Sequence, residues 1–329
     1  MIGRILVLGS NSFSGASFVD AALAEGYAVV GVSRSPQPHE AFLPYRWRRH
    51  DAPFSFHRYD LNHHLDEIAA LIHEFRPDYV VNFAAQSMVA QSWEHPDHWY
   101  TTNVLAIARL HEVLRRCDFL KRYIHISTPE VYGDCKGEVR EGTVYRPSTP
   151  YAVSRAAADM HLKACFDLWR VPVLFTRAAN VYGPGQQLYR IIPKTILSIR
   201  KGKRLRLDGG GRSRRSFIHI DDVCRATLRI MRDAQPGEIY HIATRQVVTI
   251  RELVERICRM MGAAFDEVVE PAPERPGKDG AYLLDSTKLR ALGWEDRIPL
   301  ERGVAQVIGW VDRWESVLLE MPDEYIHKP

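Results

Sequence analysis

The chain has 329 residues, 46% of them hydrophobic and 26% charged, which is enough for a sizeable core in one large domain or two unequal ones. A net charge of +4 is mild; it suits anionic small ligands and falls short of a dedicated nucleic-acid surface, although "RWRRH" (46–50) and "GGGRSRRSF" (209–217) are locally basic. The apolar run "ILVLG" near the start is too short for a signal peptide or membrane span, so a soluble, cytoplasmic protein that binds neither membrane nor nucleic acid is expected.

Short apolar runs alternate with helical patterns along the first half. "RILVLG" (4–9) predicts a strand, followed by a helix near 14–25 and a second strand in "YAVVGVS" (27–33). "FHRYDL" (56–61) predicts a third strand. It leads to a helix over 63–75, where Leu65, Ile68, Ile72 and Phe75 fall at helical spacing. "DYVVNFAA" (78–85) precedes a long helical stretch ending near Cys117. "KRYIHIS" (121–127) and "VPVLFTRAAN" (171–180) flank a helix that starts near Tyr151, after Pro147 and Pro150. "GEIYHIA" (237–243) is one more strand.

Several strands are apolar throughout, as strands covered by helices on both faces must be. The fold class is therefore α/β, a doubly wound parallel sheet with a smaller mixed lobe. The expected division assigns 1–180 to a dinucleotide-binding domain, with 216–246 returning to it, and 181–215 and 247–329 to a substrate lobe.

The stretch "GSNSFSG" (9–15) follows the first strand and opens the first helix. A first glycine allows the tight turn, and the last lets helix pack on strand. The middle position must let backbone approach a pyrophosphate at the helix N-terminus, and Ser12 stands there. Serine is small, and its hydroxyl can donate to phosphate. The second strand ends in Ser33, Arg34 and Ser35, with no carboxylate to bind a ribose 2′-hydroxyl. NADP rather than NAD is the expected cofactor, because Arg34 can make charge-assisted hydrogen bonds to a 2′-phosphate.

Five cysteines (117, 135, 165, 224, 258) show no CxxC, and fourteen histidines show no HExxH. Reduced, buried thiols and no metal are expected, with His63–His64 a surface feature at a helix start.

Eight segments occur in one order along nearly the whole chain: "GSNSFSG", "FAAQS" (83–87), "TTNVLAIARLHEVL" (101–114), "HISTPEVYG" (125–133), "YAVSR" (151–155), "RAANVYGPGQ" (177–186), "RRSFIHIDDV" (214–223) and "RPGKD" (275–279). Together they resemble the extended short-chain dehydrogenase/reductases, and among them the nucleotide-sugar 4,6-dehydratases. The resemblance implies that Tyr151 is the acid/base at the sugar 4-hydroxyl, with Thr128 bonded to the same oxygen and Glu130 facing C5. It implies that Arg155 acts in the catalytic group, and that Gly9, Asn11, Ser12, Phe13, Gly15, Ser33, Arg34, Asp60, Leu61, Ala84, Ala85, Tyr151 and Arg155 meet the cofactor. Ser87, Asn103, Asn180, Arg215 and Arg275 are implied for a nucleotide diphosphate sugar. Helices 94–116 and 151–169 are implied as a homodimer interface.

The chemistry requires such residues. A tyrosine of pKa about 10 serves as a base only if a neighbouring cation lowers it. Oxidation at C4 then acidifies the C5 hydrogen, a carboxylate removes it, and water leaves from C6. Two positions depart from the family besides Ser12. Pro129 stands where the dTDP-glucose dehydratases have an acidic proton donor; the GDP-mannose dehydratases carry Thr-Ser-Glu there, with one glutamate serving as base and then acid. Arg155 stands where the family has lysine, keeping the charge in a larger, forked group. An active dehydratase is expected; the alternatives are a nucleotide-sugar epimerase and a catalytically degenerate protein that binds NADP and nucleotide sugars.

Overall fold

A computed structural model describes residues 2–134, 137–273 and 283–328. Seven parallel strands make the main sheet: β1 (Arg4–Leu8), β2 (Ala28–Val32), β3 (Phe54–His57), β4 (Tyr79–Asn82), β5 (Arg122–Ile126), β6 (Val173–Ala178) and β7 (Ile239–Ile242). Their order is β7-β6-β5-β4-β1-β2-β3, so the chain reverses direction across the sheet between β1 and β4. In doubly wound sheets ligands bind in the crevice outside the strand C-termini at such a reversal. The doubly wound expectation holds.

Alternate residues of these strands feed two cores. Ile5, Val7, Val29, Val81, Ile124 and Leu174 face α1 (Phe13–Ala24) and the helix Ile220–Asp233. Leu6, Leu8, Val30, Val32, Val80, Tyr123, Val173 and Phe175 face the opposite layer: α2 (Leu65–Phe75), α3 (Ala106–Leu114) and α4 (Pro150–Trp169). Each fully buried aliphatic side chain contributes about 1.5–3 kcal/mol, so both faces must be covered for the sheet to be stable. The start of α4 follows from its sequence: Pro150 sits in its first turn and the Thr149 hydroxyl accepts from the Ala152 N–H (3.1 Å). Arg170 ends it in a left-handed conformation.

A third core joins helices Ile191–Arg200, Ile250–Met260 and Leu300–Arg313 through Ile192, Ile196, Leu253, Ile257, Val304 and Val307. Beside it, strands Leu205–Asp208 and Val269–Ala272 pair in parallel over a small apolar cluster.

Two boundaries differ from the sequence expectation. The third strand spans 54–57, not 56–61, because Asp60 Oδ1 accepts from the Asn62 N–H (2.8 Å) and turns the chain out of the sheet. The strand expected at 171–180 breaks at Ala179, and Asn180–Tyr182 pairs instead with Phe217–His219. Cys117, Cys165, Cys224 and Cys258 are free and buried, as expected; Cys135 lies outside the described residues. Among the described residues no helix is long and apolar enough to cross a membrane.

Candidate active site

The glycine-rich turn is shaped by contact with backbone. Gly9 has φ +79°, and a Cβ there would stand 2.6 Å from the Ala84 nitrogen; a Cβ on Gly15 would stand 2.2 Å from the Gly9 carbonyl oxygen. Ser12 caps α1, its hydroxyl oxygen accepting from the Gly15 N–H (3.1 Å). The replacement of glycine by serine thus gives the helix a cap and leaves the hydroxyl proton free to donate. The first turn of α1 carries no acidic residue, so the positive end of the helix is not neutralised from within.

In front of this turn lies a cavity of about 440 Å³. Gly9, Asn11, Ser12, Ser33, Arg34, Asp60, Leu61, Ala84 and Ala85 line it, all expected from the sequence. The Asn11 N–H donates to Ser33 Oγ (2.9 Å) and the Asn11 amide to the Ser35 carbonyl (2.9 Å), which locks the turn to the end of β2. Asn11 Oδ1 and Asn62 Oδ1 are buried with no hydrogen-bond partner, acceptors left over on the cavity wall. A glycine cradle, a helix N-terminus and unspent acceptors fit a dinucleotide. Phe13, Gly15, Tyr151 and Arg155 lie outside the lining: the Phe13 side chain belongs to the core.

The catalytic side chains gather where β5 ends. Thr128 caps the turn Pro129–Tyr132, its hydroxyl oxygen accepting from the Glu130 N–H (3.3 Å). Tyr151, in the first turn of α4, hydrogen-bonds Thr128 and stands within the field of Glu130. Burial pushes its pKa above the ordinary tyrosine value and Glu130 pushes the same way; Arg155, Thr128 and Arg190 pull it down by less. The expectation that the neighbouring cation leaves this tyrosine lowered is therefore corrected: in the free protein desolvation wins.

Arg155 also takes a different place. It is 2% exposed and lies outside the cavity lining. Its Nη2 donates to the Ile126 carbonyl and to His125 Nε2 (3.2 Å), while Nη1 is buried without a partner. One turn on, Asp159 accepts from Arg177 Nη2 (2.8 Å) and Ser127 Oγ (2.7 Å), and its Oδ1 lies 3.6 Å from His125 Nε2. Burial and the two arginines hold His125 neutral, well below its usual pKa. Two cations and one anion thus lie beneath Tyr151. The guanidinium reaches the tyrosine by its field, and its hydrogen bonds go to the sheet rather than to the cavity.

Asn103 is corrected as well. It is fully buried; its Oδ1 accepts from the Gln86 N–H (2.9 Å), and its amide donates to the Gln86 carbonyl and to Ser154 Oγ (both 2.9 Å). Both ends of the amide are engaged, so it braces the cavity wall against the helix of Tyr151 instead of meeting a substrate. Ser87, next to Gln86, is exposed. Asn180 is half-buried at the head of its short strand; Arg215 is largely buried in the strand Arg214–Arg215, with Nη1 donating to the Arg214 carbonyl (2.8 Å). Arg275 lies outside the described residues.

Sequence reasoning missed Gln86, Tyr59, Asn62 and Lys328 in the cavity lining and Arg190 beside Tyr151. Gln86 sits inside the quoted "FAAQS" and could have been taken with its neighbours. Lys328 carries no local signal: its carbonyl accepts from Gln86 Nε2 (2.8 Å) and Arg34 Nη2 (3.1 Å), closing the rim of the cavity.

A parallel sheet with this strand order, a glycine cradle at its reversal and a tyrosine on the helix after β5 define an extended short-chain dehydrogenase/reductase. Comparison with known proteins narrows the class. The family model described as GDP-mannose 4,6 dehydratase matches residues 6–307. A dTDP-glucose 4,6-dehydratase of Xanthomonas campestris pv. campestris is 33% identical over 264 residues, covering 74% of this chain and 75% of that protein. One from Streptomyces niveus is 34% identical over 258 residues, covering 77% and 76%. The solved dTDP-glucose 4,6-dehydratase of Streptomyces venezuelae, with NAD and TYD bound, superposes with a TM-score of 0.87 at 28% identity, covering 95% of this chain and 98% of that one. A Thermotoga maritima UDP-glucose 4-epimerase with UDP-glucose superposes at 0.85 with 27% identity, covering 94% and 99%. The chain belongs to the nucleotide-sugar 4,6-dehydratase family of extended short-chain dehydrogenase/reductases.

Proposed function

We propose that the chain is a nucleotide-sugar 4,6-dehydratase that holds a nicotinamide dinucleotide in the cavity before the glycine-rich turn. The carrying observation is that Tyr151, Thr128 and Glu130 share one place at the end of β5. A bound dinucleotide would supply a hydride acceptor at C4 and a hydride donor at C6. Tyr151 takes the proton of the 4-hydroxyl, with Thr128 steadying the same oxygen. The resulting ketone acidifies C5–H, and Glu130 removes that proton as a carboxylate. The C6 oxygen then leaves as water with the proton now on Glu130, since Pro129 has none to give; when hydride returns to C6 a solvent-derived proton completes C5, and Tyr151 releases the 4-hydroxyl proton to solvent.

The finer assignments follow the same chemistry. Residues 1–180 with 216–246 bind the dinucleotide, and 181–215 with 247–329 bind the sugar nucleotide. Asn180, Arg215 and Arg275 grip its diphosphate. NADP is favoured over NAD because Ser33, Arg34 and Ser35 present no carboxylate to a 2′-phosphate, although the Streptomyces venezuelae neighbour was solved with NAD. An exposed apolar stripe on α4, Val153, Met160 and Leu168, supports a homodimer through this helix and the one at 94–116.

The test is a panel of dTDP-, GDP-, UDP- and CDP-sugars incubated in deuterated water and read by mass spectrometry and NMR. Loss of one water with deuterium at C5 is expected. An epimer with no water lost moves the assignment to epimerase, and binding without turnover moves it to a degenerate binding protein.

A further inference from the structure

Away from the cavity, on the layer formed by α3 and α4, three metal-ligating side chains meet. His111 comes from α3, while His161 and Cys165, four residues apart, share one face of α4. Their ligand atoms all lie within 4.8 Å of one another, and Cys165 Sγ is 3.7 Å from His161 Nε2. His111 is 1% exposed, yet neither of its ring nitrogens has a hydrogen-bond partner. A buried polar group left unmatched is destabilising, so a ring with both nitrogens unmatched asks for a ligand. Trp169 stacks on this ring (6.0 Å between centroids) and His161 meets it edge-on (5.6 Å), fixing its plane without a hydrogen bond.

We propose that His111, His161 and Cys165 form a transition-metal site suited to Zn²⁺. Zinc takes imidazole nitrogen at about 2.0–2.1 Å and thiolate sulfur at about 2.3 Å in a tetrahedron, which sets adjacent ligand atoms roughly 3.3–3.6 Å apart. The Cys165–His161 separation is already close to that, and modest side-chain rotation closes the remainder. A thiolate with two imidazoles selects Zn²⁺ or Co²⁺ over the hard cations Mg²⁺ and Ca²⁺, which need oxygen ligands. As the sulfur–metal bond forms, the Cys165 thiol gives its proton to solvent, and both imidazoles bind neutral. Three protein ligands leave the fourth position to water. The bound ion ties α3 to α4, the helix that carries Tyr151, and lies beside the exposed apolar stripe.

The experiment uses the full chain, stripped with a chelator and desalted, then titrated with Co²⁺ alone. Expected are one ion per chain, tetrahedral d–d bands in the visible and a thiolate-to-cobalt band in the near ultraviolet, all displaced by Zn²⁺, and a higher Tm with Zn²⁺. Cys165→Ser removes the thiolate band, and His161→Ala weakens binding by about 100-fold or more, beyond the loss of a mere supporting group. Cys117→Ser changes neither. Circular dichroism checks that the variants fold; should Cys165→Ser not fold, the half-buried His161, as Ala and as Gln, decides. Absence of the bands in the parent, a thiolate band that survives Cys165→Ser, or unchanged affinity in the folded His161 variants overturns the site.

Discussion

The two sides of the site are built from different materials. The cofactor side is made of backbone and small side chains: Gly9, Ser12 and Gly15 bring peptide groups to within a methyl's width of one another. The catalytic side rests on a buried layer of charge, Arg155, Asp159 and Arg177 around neutral His125, with Tyr151 above it. One side is set by steric fit, which adding an atom disturbs. The other is set by electrostatic balance, which a substitution of nearly equal size disturbs as much.

The largest effect is expected where that balance meets the reacting atoms. Tyr151→Phe keeps the ring and removes the acid/base, so hydride transfer should fall by about 10²–10⁴-fold with dinucleotide affinity little changed. Single-turnover absorbance of reduced nicotinamide measures this, and near-parental transfer would remove Tyr151 from the chemistry. Glu130→Gln should separate the steps, leaving C4 oxidation while water loss and C5 deuteration disappear.

Beneath the tyrosine, Asp159→Asn changes almost no volume but leaves Arg177 buried without its paired anion. Breaking such a pair from one side costs about 3–5 kcal/mol. Denaturant unfolding should show a midpoint shift of that order. A loss below about 1 kcal/mol would mean that solvent or rearrangement already screens the layer.

On the steric side, Gly15→Ala adds one methyl 2.2 Å from the Gly9 carbonyl oxygen, a contact that only backbone movement can relieve. Overpacking of this kind costs roughly 1–3 kcal/mol, which becomes about a 10- to 100-fold weaker dinucleotide Kd if the turn yields at the cofactor. Calorimetry would decide. A stability loss with unchanged affinity would show that the strain is taken up by α1 instead.

The same contrast explains what could be read in the sequence. The glycine turn, β1 and α1 are contiguous, so local rules of turn and cap reach them, and nine of the expected cavity residues line it. The Tyr151, Thr128 and Glu130 group was legible because each stands in a segment with a family-like pattern. The inward turn of Arg155 was not legible. It depends on His125 and on the Ile126 carbonyl, both from β5, accepting its donors. No spacing rule within "YAVSR" encodes those partners. Asn103 was misread for a related reason: its two hydrogen-bonding ends close on Gln86 and Ser154, which only the fold brings together. The trio of His111, His161 and Cys165 spans two helices, and the i,i+4 pair alone is too common to signal a ligand.

Arg155 itself carries the smallest effect and the sharpest test of the electrostatic half. Its charge lowers the Tyr151 pKa, against a larger upward push from burial. Tyr151 acts as base when deprotonated, so the rate should rise with pH until that pKa is passed, on the alkaline side in the free protein. Removing the cation in Arg155→Met raises the pKa further, and the rising limb of kcat/KM should move to higher pH. Less of Tyr151 is then deprotonated near neutral pH, so the reaction there should slow. Arg155→Lys restores the charge and should bring the limb back towards the parent position. Stability should respond differently: Arg155→Met leaves one cation facing one anion in the buried layer, so its unfolding midpoint should fall less than that of Asp159→Asn. Should Met and Lys variants share one pH profile, the field of Arg155 does not reach the tyrosine, and the residue serves only to brace β5.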